Sequence, residues 1–224
     1  MTEPVTGPVT GPAATSDESG SAPRVFLASR NAKKLQEMRR VLEPLLPGVV
    51  VLGLDDVAPY DEPVEDQPDF EGNALLKART GLRATGLPSL ADDSGLCVEA
   101  LNAMPGVLSA RWSGRPRSDE RNNTLLLDQL ADVPDGRRGA EFRCVVAFCH
   151  PDGTERSEPG AMRGRVIRQQ RGNGGFGYDV LFVPDEQEGA STSAELSAED
   201  KDRISHRGHS LRAIAPVVAE LLRS

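Results

Sequence analysis

Arg24-Val25-Phe26-Leu27-Ala28-Ser29, followed directly by Arg30-Asn31-Ala32-Lys33-Lys34-Leu35, decides the fold class. The first six residues read as a short buried strand opening the domain. Beyond them Leu35, Met38, Val41, Leu42 and Leu45 recur at helical spacing, which predicts a helix over residues 32–45 with Asn31 as its N-cap. Val49-Val50-Val51-Leu52 then reads as a second strand. Strands that alternate with helices in this way build an α/β domain.

The same reading extends along the chain. Ala74, Leu75, Ala78 and Leu82 share one face of a helix over residues 70–85, which Gly86 and Pro88 end. Residues 88–92 read as a strand running into a loop at Asp93-Ser94-Gly95, after which Leu96-Cys97-Val98 resumes as another strand. Residues 119–130 and 210–223 are predicted helices, the latter despite Pro216, and Val180-Leu181-Phe182-Val183 is a short strand. Residues 142–149 carry the strongest β signal. That long stretch in the second half makes the expected sheet mixed.

Residues 1–23 are different material. They repeat Val-Thr-Gly-Pro and continue in Ser, Ala, Glu and Asp, with too little apolar surface to offset the entropy of ordering. We expect a disordered tail over 1–23 and one domain over 24–224. The tail lacks the basic start and apolar core of a signal peptide, and no apolar run is long enough for a membrane span. Three cysteines, Cys97, Cys144 and Cys149, are an odd count without Cys-x-x-Cys spacing, which fits buried thiols in a reducing cytoplasm. The formal net charge of −8 argues against broad nucleic-acid binding. Within that average lie an acidic run over 61–71 and a basic run over 163–171. The first could hold a cation and the second phosphates, although solvated faces are the plainer reading.

Four stretches could carry chemistry. Ser29 to Lys34 form a strand-to-helix turn whose amides and lysines suit an anion, without the glycines of a P-loop. Asp92 and Asp93 are adjacent carboxylates, costly to bring together unless a cation or hydrogen bonds compensate them. Their oxygens suit Mg²⁺, and a turn closing a hairpin is the competitor. Side chains alternate along an extended chain, so we take Asp93 to face the site and Asp92 to support it. Arg171 to Asp179 hold four glycines around Phe176, which suits a base-stacking aromatic as well as a flexible hairpin. Lys201 to Gly208 gather donors for phosphate or base carbonyls. His206 and His209 have neither a cysteine nor a third histidine beyond His150 to support a zinc site.

Together and in order, these stretches resemble the inosine triphosphate pyrophosphatase family. Further matches are Phe70-Glu71-Gly72-Asn73-Ala74-Leu75-Leu76-Lys77-Ala78, Pro105 to Arg111, and Gly174-Gly175-Phe176-Gly177-Tyr178-Asp179, and the resemblance spans about residues 24–222. It implies an elongated α/β fold, with a mixed sheet and flanking helices forming two lobes around a cleft, as a cytoplasmic homodimer. It implies cleavage of ITP, dITP and XTP to the monophosphate and pyrophosphate, with Mg²⁺. Carried over by position, Ser29, Arg30, Asn31, Ala32, Lys33 and Lys34 would hold the triphosphate. Asp93 would be general base and metal ligand, Glu65 the second metal carboxylate with Glu71 as fallback, and Ser94 a substrate contact. Phe176, Gly177, Tyr178 and Asp179 would hold the base, with Phe176 stacking, and Lys201, His206 and Arg207 would complete recognition. The chain has Arg30 where the family often has glycine, and Gly72 where it has glutamate.

Overall fold

The computed structural model describes residues 22–223. The expected disordered tail therefore lies outside the described residues except for Ala22 and Pro23. The Pro23 carbonyl accepts from the Val50 amide at 2.8 Å, which ties this residue to the sheet.

Six strands form one sheet in the order β2-β1-β3-β4-β5-β6. They are β1 (Arg24–Leu27), β2 (Val50–Leu52), β3 (Ser89–Val98), β4 (Gly139–Cys149), β5 (Glu155–Val166) and β6 (Phe182–Pro184). β1 runs parallel to β2 and β3, whereas β3 through β6 pair antiparallel, so the sheet is mixed as expected. The helices are α1 (Ala32–Leu42), α2 (Phe70–Thr85), α3 (Asp119–Gln129), α4 (Ala198–Ile204) and α5 (His206–Leu221). Asn31 caps α1 through Lys33 N, Asp69 caps α2 through Gly72 N, and Gly86 closes α2 in the left-handed conformation at φ 69°.

Alternation along β3 and β4 sorts the core. Leu90, Cys144, Val146 and Phe148 point to one face and pack under α1 and α5. Leu96, Val98, Ala140 and Phe142 point the same way and pack with Leu126 of α3 and Tyr178. Ala91, Ala147 and Cys149 point to the other face, against Ala74 and Ala78 of α2. One face thus carries two cores, one toward each end of β3, with Asp92 and Ser94 between them. These are the two lobes.

The expected loop at Asp93-Ser94-Gly95 is absent. β3 runs unbroken through it, with Asp93 opposite Val145 and Gly95 opposite Arg143. The turn-like sequence has other causes. A Cβ on Gly95 would lie 2.3 Å from the Gly106 carbonyl and 2.5 Å from Ser109 Oγ, so the glycine admits the 3-10 turn Gly106–Arg111. Other boundaries also differ. α1 stops at Leu42, α5 begins four residues earlier than expected, and residues 177–181 form a 3-10 turn before β6.

One topological detail positions everything that follows. β4 pairs with β3 along its whole length, but β1 pairs only as far as Leu27 opposite Leu90. The Ala28 amide still donates to the Leu90 carbonyl at 2.9 Å. At the far end Ser109 Oγ accepts from the Leu96 amide at 2.9 Å. Between those points, from Asp92 to Ser94, the edge of β3 has no neighbouring strand. The β1–α1 turn stands across that gap.

Candidate active site

Asp92 and Asp93 are neighbours in sequence and lie on opposite faces of β3. Asp92 faces α1 and α5, where Lys34 Nζ donates to its two oxygens at 2.7 and 2.9 Å and Arg207 Nε donates to Oδ2 at 3.1 Å. Burial alone would raise this carboxyl, but Lys34, Arg207 and Lys77 outweigh it and hold Asp92 well below the usual carboxylate range. Arg207 also reaches Ser94 Oγ at 3.3 Å, on the same face two residues on.

Asp93 faces α2. Asn73 Nδ2 donates to its Oδ2 at 2.9 Å, and Lys77 Nζ lies 3.7 Å from its Oδ1. Lys77 also donates to Glu65 Oε1 at 2.8 Å, so one ammonium joins the two carboxylates. Burial pushes the Asp93 carboxyl up; Lys77 and Asn73 oppose this, while Glu65 and Asp92 add to it. Burial works the same way on Glu65, but there Lys77, Arg117 and Arg111 win and lower it. Asn73 and Lys77 were not assigned roles from sequence. Their i, i+4 spacing puts them on one helix face but does not name what they hold.

A cleft of ≈ 420 Å³ opens on the Asp92 side, between the two cores. Of the residues expected to bind substrate, Asn31, Lys33, Lys34, Ser94, Phe176, Gly177, Tyr178, Asp179, Lys201, His206 and Arg207 line it. Ser29, Arg30 and Ala32 do not. Ser29 is used within the turn, its Oγ accepting from Asn31 N at 3.1 Å. Arg30 points outward and pairs with Glu62 and Asp55. Glu71 is also directed elsewhere, accepting from Ser157 Oγ at 2.5 Å, which leaves Glu65 as the carboxylate beside Asp93. The basic run misses the cleft too: Arg168 pairs with Asp135 and Arg171 with Glu195.

The glycine loop presents Phe176 with 57% of its surface exposed, between Gly175 at φ 73° and Gly177 at φ 60°. Asp179 fixes the loop by accepting from Phe176 N at 2.8 Å and from Lys201 Nζ at 2.5 Å. Lys201 in turn lies 5.4 Å from the Phe176 ring centroid. α3 holds the other side, where Asp119 accepts from Gly177 N at 2.7 Å and Asn123 donates to Gly177 O at 3.0 Å. Tyr178 turns into the core and donates to the Ser109 carbonyl at 3.0 Å. Asp119 and Asn123 are not legible as clamps in the sequence, because polar side chains on a helix carry no periodic signal for what they hold.

His206 stacks on Phe142, with ring centroids 5.0 Å apart and an angle of 13°. Burial, Arg207 and Lys201 drive its pKa well below the usual value, so the imidazole is neutral. Its buried Nδ1 has no hydrogen-bond partner. Such an atom is costly unless a ligand satisfies it.

The sequence and the fold together match known proteins. The Ham1 family model matches residues 25–217. The chain belongs to the Ham1 family. A Nocardia farcinica relative named dITP/XTP pyrophosphatase is 57% identical over 199 residues, covering 88% of this chain and 96% of its own. A protein of the same name from Cutibacterium acnes is 55% identical over 195 residues, covering 87% and 96%. Among solved structures, the nucleoside-triphosphatase / dITP/XTP pyrophosphatase of Mycobacterium abscessus superimposes with a TM-score of 0.72 at 52% identity, covering 86% of this chain and 99% of its own. Ham1 membership accounts for the fold.

Metal fit can be judged from the donors. Asp93 and Glu65 offer oxygens converging on one cationic point, now taken by the Lys77 ammonium. Among the described residues no three His, Cys, Asp or Glu gather as a metal site. Two carboxylates completed by water and phosphate oxygens are what Mg²⁺ accepts. The residues fit.

Proposed function

We propose that this Ham1 protein hydrolyses dITP, XTP and ITP to the monophosphate and pyrophosphate, clearing non-standard purines before they enter DNA and RNA. The observation that carries this reading is the unpaired edge of β3 between Asp92 and Ser94. It lets one extended ligand touch the nucleobase cleft on one face and Asp93 on the other.

The purine stacks on Phe176, held by Asp179 and Lys201. His206, donating from Nδ1, meets the 6-keto oxygen together with Arg207. An adenine amino group in that place leaves the donors unpaired, which costs far more than a lost apolar contact. Asn31, Lys33 and Lys34 hold the triphosphate at the start of α1, and Ser94 contacts the substrate at the strand edge.

Asp93 takes the proton from a water that attacks the α-phosphorus in line. Its burial favours that protonation. Asn73 fixes the carboxylate and Lys77 keeps Glu65 beside it. Asp93 and Glu65 would hold Mg²⁺, which when bound neutralises charge on the phosphates and the departing pyrophosphate. On this reading the enzyme works as a cytoplasmic homodimer. No helix of the described residues is long and apolar enough to cross a membrane.

A pyrophosphate-release assay across dITP, XTP, ITP, GTP, ATP and UTP tests the assignment. The expected result is turnover of the first three far above the others. Release from UTP but not from ITP would overturn it in favour of a pyrimidine enzyme.

A further inference from the structure

A second cavity, of ≈ 440 Å³, lies on the Asp93 side of β3. Lys77, Arg111, Arg115 and Arg117 line it, against Glu62 and Glu65. Both acids are already engaged, Glu62 by Arg30 and Glu65 by Lys77 and Arg111. Arg115 and Arg117 are exposed and have no hydrogen-bond or ion-pair partner among the described residues. The lining therefore sets four cations against two carboxylates that are already engaged. Positive charge focused in a concave wall attracts anions.

The segment carrying these arginines is fixed. Arg121 Nη2 donates to the carbonyls of Ser113, Gly114 and Pro116 at 3.1, 3.3 and 3.0 Å. Asn122 Oδ1 accepts from Ser113 N at 2.8 Å, and Pro116 restricts the backbone between the two arginines. The charge of Arg117 also reaches inward, since it is among the groups that lower Glu65.

The β1–α1 turn borders both cavities. Ala28 of the β1–α1 turn lines one, and Asn31 of the same turn lines the other. A triphosphate held at the start of α1 with its α-phosphorus at Asp93 would release its outer two phosphates toward the arginine cavity.

We propose that this cavity binds inorganic pyrophosphate, the leaving half of the triphosphate, with Arg115 and Arg117 as its outer ligands. The proposal rests on the functional reading above, but its site can be tested separately. Guanidinium groups pair phosphate oxygens with two parallel N–H donors, which suits a small, multiply charged anion.

The experiment uses the full chain and the double variant Arg115→Ala, Arg117→Ala, whose side chains are exposed. Inhibition of dITP hydrolysis by added pyrophosphate should weaken about tenfold in the variant. Inhibition by dIMP, which fills only the cleft, should not change. Unchanged inhibition by pyrophosphate, or equal weakening for both products, overturns the proposal. Calorimetric binding of pyrophosphate to both proteins needs no turnover. If dITP is not hydrolysed at all, the functional reading fails, while loss of pyrophosphate binding in the variant still supports the site.

Discussion

The two faces of β3 treat adjacent aspartates in opposite ways. Asp92 sits between Lys34 and Arg207, which make it a fixed anion. Asp93 has one hydrogen bond from Asn73, a lysine at 3.7 Å and a second carboxylate close by, and its affinity for a proton is raised. One residue of register separates a structural ion triad from a group suited to accept protons. The lesson is that a shared dipeptide says little until the strand assigns each side chain its face. Burial is common to both; the number of facing cations differs.

Removing the anion from the Asp92 side should have the largest effect. Asp92→Ala leaves two cations without their partner, and breaking such a buried pair costs about 3–5 kcal/mol. Chemical unfolding should show that loss; a change below about 1 kcal/mol would mean the triad is not the brace described.

A smaller effect is expected where the base binds. Phe176→Ala removes a stacking surface worth about 1–3 kcal/mol per base. The KM for dITP should rise by about tenfold or more with stability unchanged, because the ring is exposed. An unaltered KM would remove Phe176 from the site.

The pH dependence of stability should divide the pair most finely. Asp92 has a depressed folded pKa, so its contribution is present above the unfolded value of about 3.9 and is lost as the pH falls below it. Asp93 has the opposite sign. Its raised folded pKa means the burial cost appears as the pH rises through that value. Melting curves should therefore show the deficit of Asp92→Asn shrinking toward pH ~3. Asp93→Asn should melt no lower than wild type at neutral pH. A deficit in Asp93→Asn matching that of Asp92→Asn would erase the contrast.

Much of this was legible in the sequence, for identifiable reasons. β1, α1, α2 and α3 announce themselves through apolar periodicity and caps, as with Asn31 and Asp69. β4 announces itself through its β-branched and aromatic run. The continuity of β3 was not legible. Asp-Asp-Ser-Gly has poor strand propensity, and only pairing with β4 and cations on both faces overrides it. β5 is hidden for a related reason: its exposed arginines mask a strand whose inward residues, such as Met162, are few. The cleft residues were largely accessible through short motifs. The partners of Asn73, Lys77 and Asp119 required the fold, because each acts on a residue at least 12 positions away.

The most direct test of the central claim is pyrophosphate release from dITP by Asp93→Asn, corrected for the folded fraction. Loss of about 10³-fold in kcat is predicted, the scale of a removed general base, in a protein that remains folded. Turnover near that of wild type would contradict the assignment of Asp93, and with it the division of labour across β3.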